Sequence, residues 1–133
     1  MTMSSYRHLS WKQFDIAVAH LKNKYKNQKY DGVYGPARGG LVLAVKLSHL
    51  LDIPLILKPT SGCLWVDDII DSGATFNSYK GFMCKDYCCW VATEESKNYY
   101  NVLKSNKWIV FPWESSHVND IQSDKIKYEN KIC

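Results

Sequence analysis

The run Leu64-Trp65-Val66-Asp67-Asp68-Ile69-Ile70-Asp71-Ser72-Gly73-Ala74-Thr75 constrains this chain more than any other segment. Its apolar start reads as a buried strand that delivers two adjacent carboxylates, Asp67 and Asp68. A third acid, Asp71, follows, and then a small-residue turn that opens a helix. Adjacent acids suit two ribose hydroxyls or a Mg²⁺ ion, which wants hard oxygen ligands and keeps much of its own water. In the turn, Ser72, Gly73, Ala74 and Thr75 offer backbone N–H groups and hydroxyls where a phosphate can sit. Asp and Ser are also ordinary helix caps. Capping, however, gives no reason for Asp67 beside Asp68 at the end of an apolar strand. Sugar diol, metal and phosphate together describe a phosphorylated ribose.

The rest of the chain supplies a scaffold of matching type. Ser10-Trp11-Lys12-Gln13 has the form of a capping box, and Phe14, Ala17, Val18 and Leu21 then mark one face of a helix ending around Tyr25 to Gln28. Asp31 to Gly35 reads as a short strand, Leu41 to Leu51 as a buried helix, and Ile53 to Leu57 as a second strand. Cys63 to Val66 is the strand that carries the acids, and Thr75 to Lys85 the helix behind the turn. Cys88 to Thr93 and Lys107 to Phe111 are further strands. Near-continuous apolar strands alternating with helices predict a single α/β domain over residues 1–133, a mostly parallel sheet flanked by helices. Its core spans about residues 6–114, followed by a polar tail over 115–133. In such sheets ligands bind at the carboxyl ends of the strands. Those ends are Pro36 to Gly40, Asp67 to Thr75, Glu94 to Lys97 and Pro112 to Glu114, a single rim.

Composition removes several function classes. Of the 17 basic residues, all but Arg7 and Arg38 are lysines, many of them between Lys22 and Lys29, and the net charge is only +4. That lysine run is a solvated helix face, without the interleaved aromatics or motif of a nucleic-acid binder. No apolar run reaches membrane-spanning length, and the first residues lack a secretory core, so the cytosol is the expected compartment. Cys63, Cys84, Cys88, Cys89 and Cys133 make an odd set without paired zinc spacing, so reduced thiols are expected. Cys88 and Cys89 sit in an apolar run and read as small buried hydrophobes.

Two more motifs fall on the same rim. Arg38 precedes Gly39-Gly40 at a strand-to-helix turn, where the backbone can approach an anion and a guanidinium can clamp it. Trp108-Ile109-Val110-Phe111-Pro112-Trp113-Glu114 ends the last strand with an aromatic face suited to a flat base.

These three motifs resemble those of the type I phosphoribosyltransferases, over about Tyr6 to Glu114. Residues 67–75 match the family's phosphoribosyl pyrophosphate (PRPP) signature in order, and Ala37-Arg38-Gly39-Gly40 is similar to its pyrophosphate loop. In the family that loop often holds a non-proline cis peptide, by analogy Ala37-Arg38. The Trp108 to Glu114 segment, with the N-terminal Tyr6 to Trp11, resembles the bacterial xanthine-guanine branch. The resemblance implies an enzyme that transfers the 5-phosphoribosyl group of PRPP to a purine base and releases pyrophosphate. It implies PRPP contacts from Arg38, Gly39, Asp67, Asp68 and Asp71 to Thr75, with Mg²⁺ held by Asp68 and Asp67. Asp71 is then general base or electrostatic partner, Trp108 and Ile109 bind the base, and a homo-oligomer is expected.

Two departures qualify that picture. Only Lys58-Pro59-Thr60-Ser61-Gly62 stands where the family carries a long mobile loop that covers the reacting centre. Where 6-oxopurine enzymes place a lysine, this chain has Glu94 and Glu95, with Lys97 later. A carboxylate accepts hydrogen bonds and so favours an amino or ring N–H donor. The alternatives are a PRPP- or nucleotide-binding regulatory protein of the same fold, and an enzyme for a pyrimidine or modified base.

Overall fold

The computed structural model describes residues 6–114. The tail over 115–133, with Cys133, lies outside the described residues. Within them the order is β1 (Tyr6–His8), α1 (Trp11–Tyr25), β2 (Val33–Tyr34), α2 (Gly39–Leu51), β3 (Leu64–Ile70), α3 (Ala74–Tyr79), β4 (Asp86–Ala92), β5 (Tyr100–Lys104) and β6 (Trp108–Val110). The chain divides into two compact units, Met1–Asp15 with Lys107–Cys133, and Ile16–Asn106.

In the first unit β1 pairs with β6 in parallel, Tyr6 opposite Trp108 and His8 opposite Val110. The capping box forms as its spacing predicts: the Ser10 amide donates to Gln13 Oε1 at 2.8 Å, and the Gln13 amide donates to Ser10 Oγ at 3.1 Å. Trp11, Phe14 and Trp113 pack edge-on or tilted, and Phe111 lies flat on Trp113 with ring centres 5.0 Å apart.

In the second unit four parallel strands run in the order β2-β3-β4-β5. α2 packs on β2 and β3, burying Leu43, Ala44 and Leu47. Because a strand's side chains alternate between faces, Trp65 and Cys89 fall together in a cluster with Phe76 of α3, edged by Tyr34, Tyr79, Tyr87 and Tyr99. Cys88 points the other way, toward Tyr25 of α1. Cys63, Cys84, Cys88 and Cys89 are buried free thiols, and burial raises the pKa of Cys88 and Cys89 well above the usual thiol range. Among the described residues no helix is long and apolar enough to cross a membrane.

Three element expectations need correction, and two strands were not expected. Ile53 to Leu57 is not a strand: Pro54 has no N–H for a ladder, and only a single bridge joins Leu55 to Val33. The helix expected over Thr75 to Lys85 stops at Tyr79, continues as a 3-10 turn over Lys80–Phe82 containing Gly81, and ends on Met83 in the left-handed region. The strand expected to end at Val66 runs through the acids to Ile70. β1 and β5 were not foreseen: one is three residues long, and the other is a half-buried edge strand mixing Asn101 and Lys104 with Val102 and Leu103.

Candidate functional site

The sheet positions the acids through unequal strand lengths. β2 covers β3 only as far as Trp65, and beyond that point the start of α2 takes its place. The Ala37–Arg38 peptide is cis, and the Leu41 amide donates to the Pro36 carbonyl at 3.2 Å, closing the turn. The closeness of turn and strand is measured by what a β-carbon would meet. At Gly39 it would lie 1.7 Å from Asp68 Oδ2, and at Gly40 2.7 Å from Asp67 Oδ1 and 2.9 Å from the Val66 carbonyl. A β-carbon at Gly39 therefore fits only if the Asp68 carboxylate or the turn shifts, and both carboxylates abut the same turn. Arg38, exposed, caps α2 directly before the two glycines.

Each carboxylate also accepts from the next amide in the chain, Asp67 Oδ1 from Asp68 N–H at 2.9 Å and Asp68 Oδ1 from Ile69 N–H at 2.8 Å. These bonds fix the side chains but do not offset the loss of water. Asp67 is only 6% exposed. Burial first, and then the adjacent Asp68 charge, raises the Asp67 carboxyl above the ordinary carboxylate range; burial raises Asp68 too. Two hard anionic oxygen donors that bind protons too tightly form a donor set suited to a hard divalent cation completed by water and ligand oxygens. Among the described residues no cluster of three or more histidine, cysteine or acidic side chains could hold a metal alone.

β3 then ends in the turn. Asp71 and Ser72 are exposed, Gly73 adopts φ 86°, and α3 begins at Ala74. A side chain at Gly73 would be strained in that left-handed conformation. Ser72 Oγ accepts from the Ala74 amide at 3.3 Å, and the Asn77 amide donates to the Gly73 carbonyl at 2.8 Å. Thr75 lies in the first turn of α3, whose opening amides have no partner within the helix. Sequence reasoning missed Thr93. Its amide donates to the Ile70 carbonyl at 3.1 Å and its Oγ1 to the Asp71 carbonyl at 3.0 Å, so the end of β4 holds the Asp71 turn. A hydroxyl residue directly after an apolar strand was the available signal.

The Lys58–Gly62 turn is tied down. Thr60 Oγ1 donates to Asp31 Oδ1 at 2.7 Å, the Asp31 amide donates to the Gly62 carbonyl, and a β-carbon on Gly62 would lie 2.6 Å from Asp31 Oδ2. Glu94 and Glu95 are exposed in the crossover from β4 to β5, where Tyr99 O–H donates to the Glu94 carbonyl at 2.8 Å. In the first unit, Trp108 is 69% exposed while Ile109 beside it is buried. The second unit thus brings Gly39, Gly40, Asp67 and Asp68 together, with Asp71 to Thr75 at the end of the same strand. Trp108 and Ile109 belong to β6 of the other unit.

Neither a family model nor a curated protein matches the sequence. Solved structures do. A purine phosphoribosyltransferase from Pyrococcus horikoshii Ot3 is 31% identical, with a TM-score of 0.72 over 84% of this chain and 95% of that one. A Helicobacter pylori xanthine-guanine-hypoxanthine phosphoribosyltransferase is 18% identical, with a TM-score of 0.71 over 86% of this chain and 97% of that one. A hypothetical protein from Neisseria gonorrhoeae with bound ppGpp is 16% identical, with a TM-score of 0.68 over 98% and 99% of the two chains. Orotate and adenine phosphoribosyltransferases align over shorter spans.

Proposed function

The chain belongs to the type I phosphoribosyltransferase family, and on that premise we propose that it transfers the 5-phosphoribosyl group of PRPP to a purine base, releasing pyrophosphate. The observation that carries the reading is the packing of Asp67 and Asp68 against the Gly39-Gly40 turn, with the Asp71 to Thr75 turn ending the same strand. The purine is supported by the Pyrococcus relative and by the exposed Trp108 face, on which a flat ring can stack.

In this reading the 5′-phosphate lies in the Asp71 to Thr75 turn, accepting from backbone amides and from the Ser72 and Thr75 hydroxyls. Asp67 and Asp68 orient the ribose hydroxyls and would hold Mg²⁺ directly or through its water. When bound, that ion neutralises charge on the leaving pyrophosphate. Arg38 and the Gly39 backbone bind the pyrophosphate and favour the charge that develops as the glycosidic carbon separates from it. Asp71 lies toward the attacking ring nitrogen and takes up its proton or stabilises it as the new bond forms. The Trp108 ring stacks on the base and the Ile109 backbone hydrogen-bonds it, the Ile109 side chain being buried. The protein works in the cytosol, as a homo-oligomer.

The test is pyrophosphate release from PRPP over a panel of purines and pyrimidines. Asp71→Asn should lower turnover at least 100-fold, within the usual range for general acid–base groups, with PRPP affinity retained. Unchanged turnover would remove Asp71 from the chemistry. The second reading, a nucleotide-binding regulatory protein, is favoured by the tied-down Lys58–Gly62 turn. PRPP or nucleotide binding without pyrophosphate release from any base would establish it.

A further inference from the structure

At the amino-terminal edge of the four-stranded sheet, away from the strand ends that carry Gly39, Asp71 and Thr93, the second unit holds an open groove of about 730 Å³. Its walls are the end of α1 and the first residues of β4 and β5. Lys24, Lys85 and Lys97 line it with Tyr99 and Tyr100, and Asp86 is the one acid among the lining residues. The volume falls in the range of small-molecule sites.

The charges around this groove are organised. Asp86 Oδ2 accepts from Tyr30 O–H at 2.5 Å, which engages the one negative side chain of the wall. Lys85 Nζ donates to the Lys29 carbonyl at 2.6 Å and so is held in place with two N–H groups left over. Lys24 Nζ stands 4.2 Å from the centre of the Tyr100 ring, whose plane is stacked on His20 and whose hydroxyl is paired with His20 Nε2. A cation parked over an aromatic face rather than beside a carboxylate keeps its charge available to a ligand. Lys97 makes no hydrogen bond or ion pair among the described residues. The carbonyl end of α1 opposes an anion here, but Lys22 and Lys24 in its last turn offset that field.

We propose that this groove is a second ligand site, for a small multiply charged phosphate compound of nucleotide size, bound by Lys24, Lys85 and Lys97. The phosphate groups bridge the three ammonium groups, and any attached ring lies along the tyrosines of the wall. Lys97 and Tyr99 belong to the β4–β5 crossover that starts at Thr93, the residue holding the Asp71 carbonyl. An occupant of the groove therefore touches the segment that positions the turn on the opposite edge.

The experiment titrates GDP and, separately, inorganic pyrophosphate by calorimetry into the Ser72→Glu variant, whose added charge blocks phosphate at the Asp71 to Thr75 turn. One GDP per chain is expected, weakened at least tenfold by adding Lys24→Glu and Lys97→Glu and recovered with arginine at both positions. All three lysines are exposed, and thermal melts establish that each variant is folded. Pyrophosphate binding that is as tight as GDP and weakened by the same charge reversal identifies the phosphate groups as the whole ligand, whereas tighter GDP identifies a nucleotide; either upholds the site, and pyrophosphate binding indifferent to the reversal belongs to the Arg38 turn and counts against the groove. Absence of binding in the Ser72→Glu background, indifference to charge reversal, or equal binding of sulfate overturns it. Pyrophosphate release from PRPP is read separately, so failure of the groove and failure of the transferase reading are distinguishable.

Discussion

Asp67→Asn tests the electrostatics of the acid pair directly. An unfolded aspartate releases its proton near pH 4. Folding buries Asp67 beside Asp68 and raises its pKa, so the folded chain keeps a proton that the unfolded chain has given up. Stability contributed by that proton is complete below about pH 4 and is lost as pH rises through the folded carboxyl's own range. Each tenfold gain in proton affinity is worth about 1.4 kcal/mol. With Asp67 pushed up to about 8, that loss runs through the whole range from about pH 4 to pH 8. Asparagine keeps the shape and the acceptor for the Asp68 amide and removes the charge. Urea denaturation of wild type and variant between pH 4.5 and 8.5 should show the variant gaining on the wild type across the window by more than one tenfold step in proton affinity, about 1.4 kcal/mol. Groups elsewhere in the chain cancel in that difference. Adding Mg²⁺ at pH 8 should stabilise the wild type more than the variant. A difference that stays flat with pH, or drifts in the wild type's favour, would refute the account of an uncompensated anionic pair.

Gly39→Ala places a methyl group where Asp68 Oδ2 now sits, 1.7 Å away, so the carboxylate or the turn must move. The expected cost is ~1–3 kcal/mol in urea melts, typical of overpacking, with PRPP affinity reduced at least tenfold; intact affinity would detach the turn from the ligand. Thr93→Val keeps the side-chain shape but removes the donor to the Asp71 carbonyl, and should cost about 1 kcal/mol. It should also lower kcat more than it changes the KM for PRPP, because it loosens Asp71; equal kcat with lost stability would make Thr93 merely structural.

How much the sequence disclosed depended on where each signal lay. Ser10 and Gln13 disclosed the start of α1, because a capping box is satisfied by neighbours in the chain. The α/β class was legible from the apolar strands, and the buried partners Phe14, Ala17, Val18 and Leu21 from their spacing. The parallel order β2-β3-β4-β5 is a different kind of fact. It depends on β5, whose half-buried, mixed residues carry no alternation to detect. Ile53 to Leu57 misled for the opposite reason: its apolar content was strand-like, while Pro54 withheld the donor that a ladder needs. Asp67 and Asp68 were visible as adjacent acids, but their burial and their closeness to Gly39 and Gly40 arise from a contact between residues about thirty positions apart. Thr93 is of the same kind, since its role exists only through its hydrogen bond to Asp71.

The turn at Lys58–Gly62 bears on how a transfer reaction would be protected from water. An oxocarbenium-like centre is captured by whichever nucleophile occupies the adjacent space, and enzymes usually exclude water by moving a covering loop. Here Thr60 is fastened to Asp31 through its hydroxyl, and the Gly62 carbonyl accepts from the Asp31 amide. Swinging this turn over the acids would break those bonds. Under the proposed reading, exclusion of water therefore falls to the bound base and to whatever covers it, not to this turn. The order of binding then acquires a physical meaning. The centre becomes reactive safely only once the position of attack is filled, and the base itself is the occupant that fills it.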